Sequence, residues 1–166
     1  MNFWKALINN FPLVCAGTAW FTAQILKVFT GVFKVREFSV SALLFGHGGM
    51  PSSHSATVCS LMVACGLTYG VGSGYFAIAA IFAIIVMGDA AGVRAEAGKQ
   101  AKVLNRMMKH LFATEKHGAD HHGETQQNLK ELVGHTPLQV FMGALLGIAL
   151  PFLMALIPLY RGYFPL

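Results

Sequence analysis

An all-α integral membrane bundle, with about four transmembrane spans and an amphipathic helix on its cytoplasmic side, is the architecture this sequence predicts. Three observations carry it. Only 11% of the residues are charged and 55% are hydrophobic, whereas a soluble domain carries about 25% charged residues. The mean hydropathy is +0.56. Several uninterrupted apolar stretches approach the roughly 20 residues that a helix needs to cross a bilayer. A length of 166 residues suits one domain, so residues 1–166 are read as a single membrane unit.

In chain order, the first stretch runs from Phe11 to Phe33, the second from Ser55 to Tyr69, the third from Tyr75 to Val93 and the fourth from Pro137 to Tyr160. The second is short: at about 1.5 Å per residue it falls below the ~30 Å of hydrocarbon. Its small residues Ala56, Ser60, Ala64 and Gly66 suit close packing inside a bundle. Gly70, Gly72, Ser73 and Gly74 make the tight link to the third stretch. Pro151 and Pro158 are expected to bend the fourth. Cys15, Cys59 and Cys65 lie in apolar stretches without disulfide or metal-ligand spacing and read as packing residues. No cleavable leader is expected from the opening residues, which hold Trp4, Lys5 and asparagines.

Between the third and fourth stretches lies the main polar segment, 92–136. Lys99, Lys102, Arg106 and Lys109 recur at spacings of three and four and share one side of a helix. Val103, Leu104, Met107, Leu111 and Phe112 fall on the other. Such a helix is suited to an anionic leaflet, with docking on the bundle as the alternative. Thr114 to Thr125 is expected to be a loop.

Four spans bring the end of the first, the start of the second, the end of the third and the start of the fourth to one membrane face. Lys27, His54, Asp89, Arg94 and His135 stand at those places. Ionisable residues in or beside spans are costly and point to function. Ten of the twelve Lys and Arg residues lie on the same face: Lys27, Lys34, Arg36, Arg94, Lys99, Lys102, Arg106, Lys109, Lys116 and Lys130. The positive-inside rule makes that face cytoplasmic, with both termini outside.

The segment Gly48-Gly49-Met50-Pro51-Ser52-Ser53-His54-Ser55-Ala56 is the most informative. Glycines let backbone approach a ligand, and Ser52 or Ser53 suits a helix N-cap. The N–H groups of the following turn and the positive end of the helix dipole favour an anion. His54 would stand beside that anion as a proton donor to a leaving oxygen. Lys27 and Arg94 are suited to clamp the oxygens of a phosphoryl group in transfer. Asp89 is expected either to pair with Arg94 or to orient a histidine. A neutral His135 could attack phosphorus and form a phosphohistidine.

Pro51-Ser52-Ser53-His54 resembles the Pro-Ser-Gly-His motif of the type 2 phosphatidic acid phosphatase superfamily, which includes lipid phosphatases and vanadium haloperoxidases. The chain looks more closely like the divergent branch of that superfamily. The similarity runs through Ala19-Trp20 to Gln24 and Lys27, Gly48 to Ala56, Asp89-Ala90-Ala91-Gly92-Val93-Arg94, Gly98-Lys99-Gln100-Ala101, Leu104-Asn105, and Leu129 to Leu132 with Gly134-His135-Thr136-Pro137. The resemblance implies a metal-independent lipid phosphatase without a cofactor. It assigns phosphate binding to Lys27 and Arg94, the general acid to His54 and the nucleophile to His135. Gly49, Ser52 and Ser53 join them as substrate-binding residues, and Asp89 as a catalytic one.

Two positions depart from the superfamily pattern. Its arginine six residues before the nucleophile is Leu129 here, and its acid four residues after is Gln139. An amide accepts a hydrogen bond from imidazole but cannot stabilise imidazolium by charge. Reduced activity or a substitute acid is therefore expected, with Asp89 ahead of Glu131.

The expected partners are a lipid phosphate substrate and membrane lipids, with no nucleic acid; monomer and homo-oligomer both stay open. The expected location is a membrane, the bacterial inner membrane on this reading. A non-catalytic lipid- or anion-binding membrane protein that keeps the phosphate site is the alternative. Metal binding by His117, Asp120, His121 and His122 is disfavoured by their loose spacing. A transporter is disfavoured because the ionisable residues gather at one end rather than near the midplane.

Overall fold

The computed structural model describes residues 2–32, 49–115, 135–158 and 160. Among them every regular element is a helix: α1 (Phe3–Ile8), α2 (Phe11–Val32), α3 (Ser53–Tyr69), α4 (Gly74–Ala91), α5 (Val93–Glu115) and α6 (Pro137–Ala155). α2, α4 and α6 each contain a segment long and apolar enough to cross a membrane. α3 has 17 residues, about 25 Å at 1.5 Å per residue, and is the enclosed centre on which α2, α4 and α6 pack.

The helix starts are written in the sequence. Ser52 has extended backbone and its hydroxyl accepts the Ser55 N–H. Ser73 accepts the Phe76 N–H at 3.2 Å, and Thr136 accepts the Gln139 N–H at 3.3 Å. Each such cap satisfies an N–H that has no acceptor in the first turn and contributes about 1 kcal/mol. Gln139 Oε1 in turn accepts the Thr136 backbone N–H at 3.0 Å, which completes a capping box with Pro137 at the helix start. α3 ends at Gly70, whose φ of 83° lies in the region that glycine occupies without steric cost.

Chain direction follows from the contacts. Lys27 near the end of α2 bonds Ser53 at the start of α3, so these two run antiparallel. α4 returns through the Gly70–Ser73 link, where Tyr69 and Tyr75 rings lie 4.7 Å apart. α6 runs parallel to α3. A Cβ on Gly143 would collide with the Ser52 carbonyl, and one on Gly147 with the Ala56 carbonyl, so only glycine lets the two backbones come this close. Ala19 and Ala23 of α2 are fully buried against Ala56, with Leu146 and Leu150 of α6 beside them. In lipid, helices gain nothing by hiding apolar surface from one another, and small residues that permit close backbone approach hold them together. The large apolar side chains point outward instead: Phe21, Ile78, Ile84, Phe141 and Leu153 are all exposed. At the end remote from Lys27, Phe11, Cys15, Ala64, Met154 and Tyr160 form a second cluster.

Several sequence expectations need correction. α6 runs through the buried Pro151 and stops at Ala155, so Pro158 lies beyond the helix and bends nothing in it. Thr114 and Glu115 belong to α5 rather than to a loop. α5 also has three faces, not two. Lys99, Lys102, Arg106 and Lys109 are exposed, as are Val103, Leu104 and Met107; the buried strip between them is Gly98, Ala101 and Asn105. The apolar face is therefore not the face by which α5 is covered, which argues against simple docking through it. Leu111 and Phe112 side chains, Lys34, Arg36, Lys116 and Lys130 lie outside the described residues.

Candidate active site

The polar residues singled out above gather at the end of the bundle where α2 and α4 finish and α3 and α6 begin. Three main-chain or side-chain ties close this end. Thr30 donates its hydroxyl to the Met50 carbonyl at 2.6 Å. Ser52 N–H donates to the Gln139 carbonyl at 2.9 Å, and His135 N–H to the Ala90 carbonyl at 3.2 Å. α2, the loop before α3, the last turn of α4 and the first turn of α6 are thereby held in one register.

Gly49 and Pro51 deliver the chain to α3. Gly49 has a φ of 103°, which any larger residue would adopt only with strain, and it lies against the Lys27 side chain. The Met50–Pro51 peptide is cis. Ser52 and Ser55 are fully buried and share a hydroxyl–hydroxyl bond of 3.1 Å. Ser53 is buried and its hydroxyl accepts from Lys27 Nζ at 3.0 Å. This contact places the Lys27 ammonium at the N-terminus of α3, where the helix dipole and first-turn N–H groups already favour negative charge. A cation there has no carboxylate partner among the described residues; it suits an oxyanion.

His54, next in sequence, is exposed. Its ring centroid stands 6.1 Å from that of His135, with the planes inclined at 48°. The two imidazoles are thus close neighbours at the same end of the bundle. His135 itself is 6% exposed. Burial pushes its imidazole below the ordinary histidine value, and the positive charges of Lys27, His54 and Arg94 push the same way, while the Gln139 amide partly opposes them. The ring is therefore held neutral, the state a nucleophile requires. Its Nδ1 is buried with no hydrogen-bond partner among the described residues.

Asp89 and Arg94 form an ion pair, Arg94 Nε donating to Asp89 Oδ2 at 2.6 Å. Both side chains are about half exposed, 48% and 40%, and such a pair contributes under about 1 kcal/mol. Of the two roles expected for Asp89, the structure shows the arginine pairing. That bond uses Nε, and the two terminal nitrogens of the guanidinium fork remain for a planar or tetrahedral oxyanion. Arg94, at the start of α5, is near enough to act on His135 electrostatically.

The sequence reading gave no role to Thr136 and none in the fold to Gln139. Their signal was legible: Thr-Pro-Leu-Gln ahead of an apolar run is the spelling of a capping box. Gly143 and Gly147, four apart, likewise spell a close helix contact. Glu131, Leu129, Gly48 and the His117, Asp120, His121 and His122 group lie outside the described residues.

With this geometry in hand, comparison with known sequences is informative. Residues 8–150 match the family described as the Divergent PAP2 family. The "Uncharacterized membrane protein YuiD" of Bacillus subtilis (strain 168) is 42% identical over 153 residues, covering 90% of this chain and 96% of the relative. No solved structure matches the chain.

Proposed function

The chain belongs to the Divergent PAP2 family, and on that premise we propose that it is a lipid phosphatase working at the edge of the bilayer. The observation that carries the proposal is the pair of imidazoles, His54 and His135, 6.1 Å apart beside the Lys27 ammonium on α3's first turn.

The reaction proceeds in two displacements. A nitrogen of neutral His135 attacks phosphorus; the N–P bond forms as the bond from phosphorus to the lipid oxygen breaks. The electron pair goes to that oxygen, which takes a proton from His54. Water then attacks the phosphohistidine, His54 accepts its proton, the N–P bond breaks and inorganic phosphate leaves. Lys27, Arg94 and the start of α3 hold the equatorial oxygens, where negative charge accumulates as transfer proceeds. Phosphatidic acid, phosphatidylglycerol phosphate and a polyprenyl diphosphate all present this head chemistry. By the charge bias of its loops, the catalytic end faces the cytoplasm, in a bacterial inner membrane.

The test is phosphate release from short-chain lipid phosphates by the full chain in detergent, with His135→Ala as control and vanadate as an inhibitor that mimics the transferred group. Release that vanadate blocks and His135→Ala abolishes is the expected result. A second reading, a non-catalytic protein that binds lipid phosphates, is favoured by one observation: the Gln139 amide serves a helix cap rather than presenting charge to His135. Tight binding of lipid phosphate without release, in wild type and variant alike, would decide for it.

A further inference from the structure

α5 presents more surface than the rest of the chain covers. Gly98, Ala101 and Asn105 form its buried strip, while Val103, Leu104 and Met107 are 57%, 49% and 56% exposed. At about 100° per residue, the centre of that apolar set lies roughly 130° around the helix from the centre of Lys99, Lys102, Arg106 and Lys109. The buried strip fills the remaining sector, so α5 rests on the protein by its strip while both other faces stay open. Two of its cations are engaged: Arg94 with Asp89 and Lys99 with Glu96, each at 2.6 Å. Lys102, Arg106 and Lys109 are exposed and have no carboxylate partner among the described residues. Gly92 alone separates α5 from α4, a helix apolar enough to span a bilayer. Its φ of −102° and ψ of −88° depart from the α-helical values of about −63° and −42°, so the helix is interrupted there. Two residues earlier, Ala90 holds His135 at the polar end of the bundle. α5 thus begins at the bilayer's edge with an open apolar face and three uncompensated cations.

We propose that α5 lies in the headgroup layer of an anionic leaflet, with Val103, Leu104 and Met107 toward the acyl chains and Lys102, Arg106 and Lys109 on phospholipid phosphates. A helix divided in this way sinks its apolar face roughly 5–10 Å into the boundary between headgroups and chains. Long basic side chains reach the phosphate level while their stems stay on apolar surface. Charge complementarity selects the occupant: each Lys or Arg near an anionic surface is worth about a fivefold gain in binding. A second copy is the poorer fit, because face to face the same cations would oppose one another. An acidic protein would meet the cations, but the apolar face beside the end of a span is already within reach of lipid. This surface goes beyond the phosphatase reading and does not depend on it.

The experiment places a nitroxide on Met107→Cys in the full chain, reconstituted in vesicles of phosphatidylcholine alone or with an equal part of phosphatidylglycerol. Cys15, Cys59 and Cys65 are buried, so the unsubstituted chain serves as the labelling blank. Oxygen concentrates in lipid and a nickel chelate in water, and their collision rates with the label report its depth. With phosphatidylglycerol the label should be open to oxygen and shielded from nickel. Replacing Lys102, Arg106 and Lys109 together by Gln should lower the ratio of membrane-seated to detached helix by about a hundredfold, the product of three fivefold factors. High salt should act in the same direction. A label open to nickel in both kinds of vesicle overturns the proposal. So does one seated equally well in phosphatidylcholine alone, because anionic lipid would then not be what α5 recognises. A label shielded from both reagents also overturns it, since protein rather than lipid would cover the face. The comparison of the two vesicles decides even if the triple variant folds poorly. Phosphate release is not read, so failure here leaves the phosphatase reading standing.

Discussion

Two regions of this bundle hold α3 in place by opposite means. At mid-depth, α3 meets α2 and α6 through small residues, with Ala19, Ala23 and Ala56 fully buried and the backbones in direct approach at Gly147. At the end that gathers the polar residues, the helices are joined by hydrogen bonds: Lys27 to Ser53, Thr30 to Met50, Ser52 to Gln139 and His135 to Ala90. In hydrocarbon an unmade hydrogen bond has no water to replace it, so polar ties are expensive and packing does the joining. At the edge the ties are cheap, and those of Lys27 and His135 also fix candidate site residues. The first region joins the bundle by packing; the second fixes the positions of the residues on which the proposed chemistry rests.

That separation can be broken by substitution. The largest effect is expected from His135→Ala, which should lower phosphate release by about 10³-fold or more with an unchanged circular dichroism spectrum; retained turnover would move the nucleophile elsewhere. Lys27→Met should cost about 10²–10³-fold in kcat/KM, and Lys27→Arg should restore part of it, measured against the same lipid phosphate. Gly147→Val tests the other region. The added side chain must displace the α3 backbone at Ala56, and about 1–3 kcal/mol of overpacking should appear in denaturant unfolding in detergent. If activity fell with stability untouched, the two regions would not be separable as described.

The pH dependence sharpens the same comparison. His135 is held below the ordinary histidine value of 6.5, so the native ring takes up a proton less readily than the unfolded one. Stability is therefore retained above the ordinary value and lost as pH falls below it. Activity should follow, with the acid limb of kcat/KM lying below that of a free histidine, and His135→Gln should remove this part of the acid sensitivity of unfolding. The smallest effect belongs to Asp89→Asn. It breaks a half-exposed ion pair and should change stability by under about 1 kcal/mol.

The mid-depth region was the more readable in outline. Uninterrupted apolar residues have no other use, and the helices start and stop near the positions that hydropathy implies. The exceptions are instructive. Proline stops a helix only where its missing N–H and bulk cannot be accommodated; Pro151, inside a bilayer-spanning run, is carried through, whereas the chain ends its helix before Pro158 by itself. The polar end was readable as a list of residues but not as a geometry. Topology alone predicts that Lys27, His54 and His135 share a face, because each sits at the same end of a neighbouring span. Nothing in the sequence told which partner Asp89 would choose, since Arg94 and two histidines were all within plausible reach. Gln139 was legible as a missing charge and overlooked as a cap, although its spacing from Thr136 spelled one.

The hydrogen bonds that bracket Gly92, from its N–H to Gly88 and from Glu96 to its carbonyl, stitch the basic helix α5 to the end of α4. Two residues upstream, the Ala90 carbonyl grips the main chain of His135. The start of the basic helix α5 and the main chain of His135 thus share one anchor, the last turn of α4. A shift of the first turn of α5 would therefore reach His135 through the end of α4.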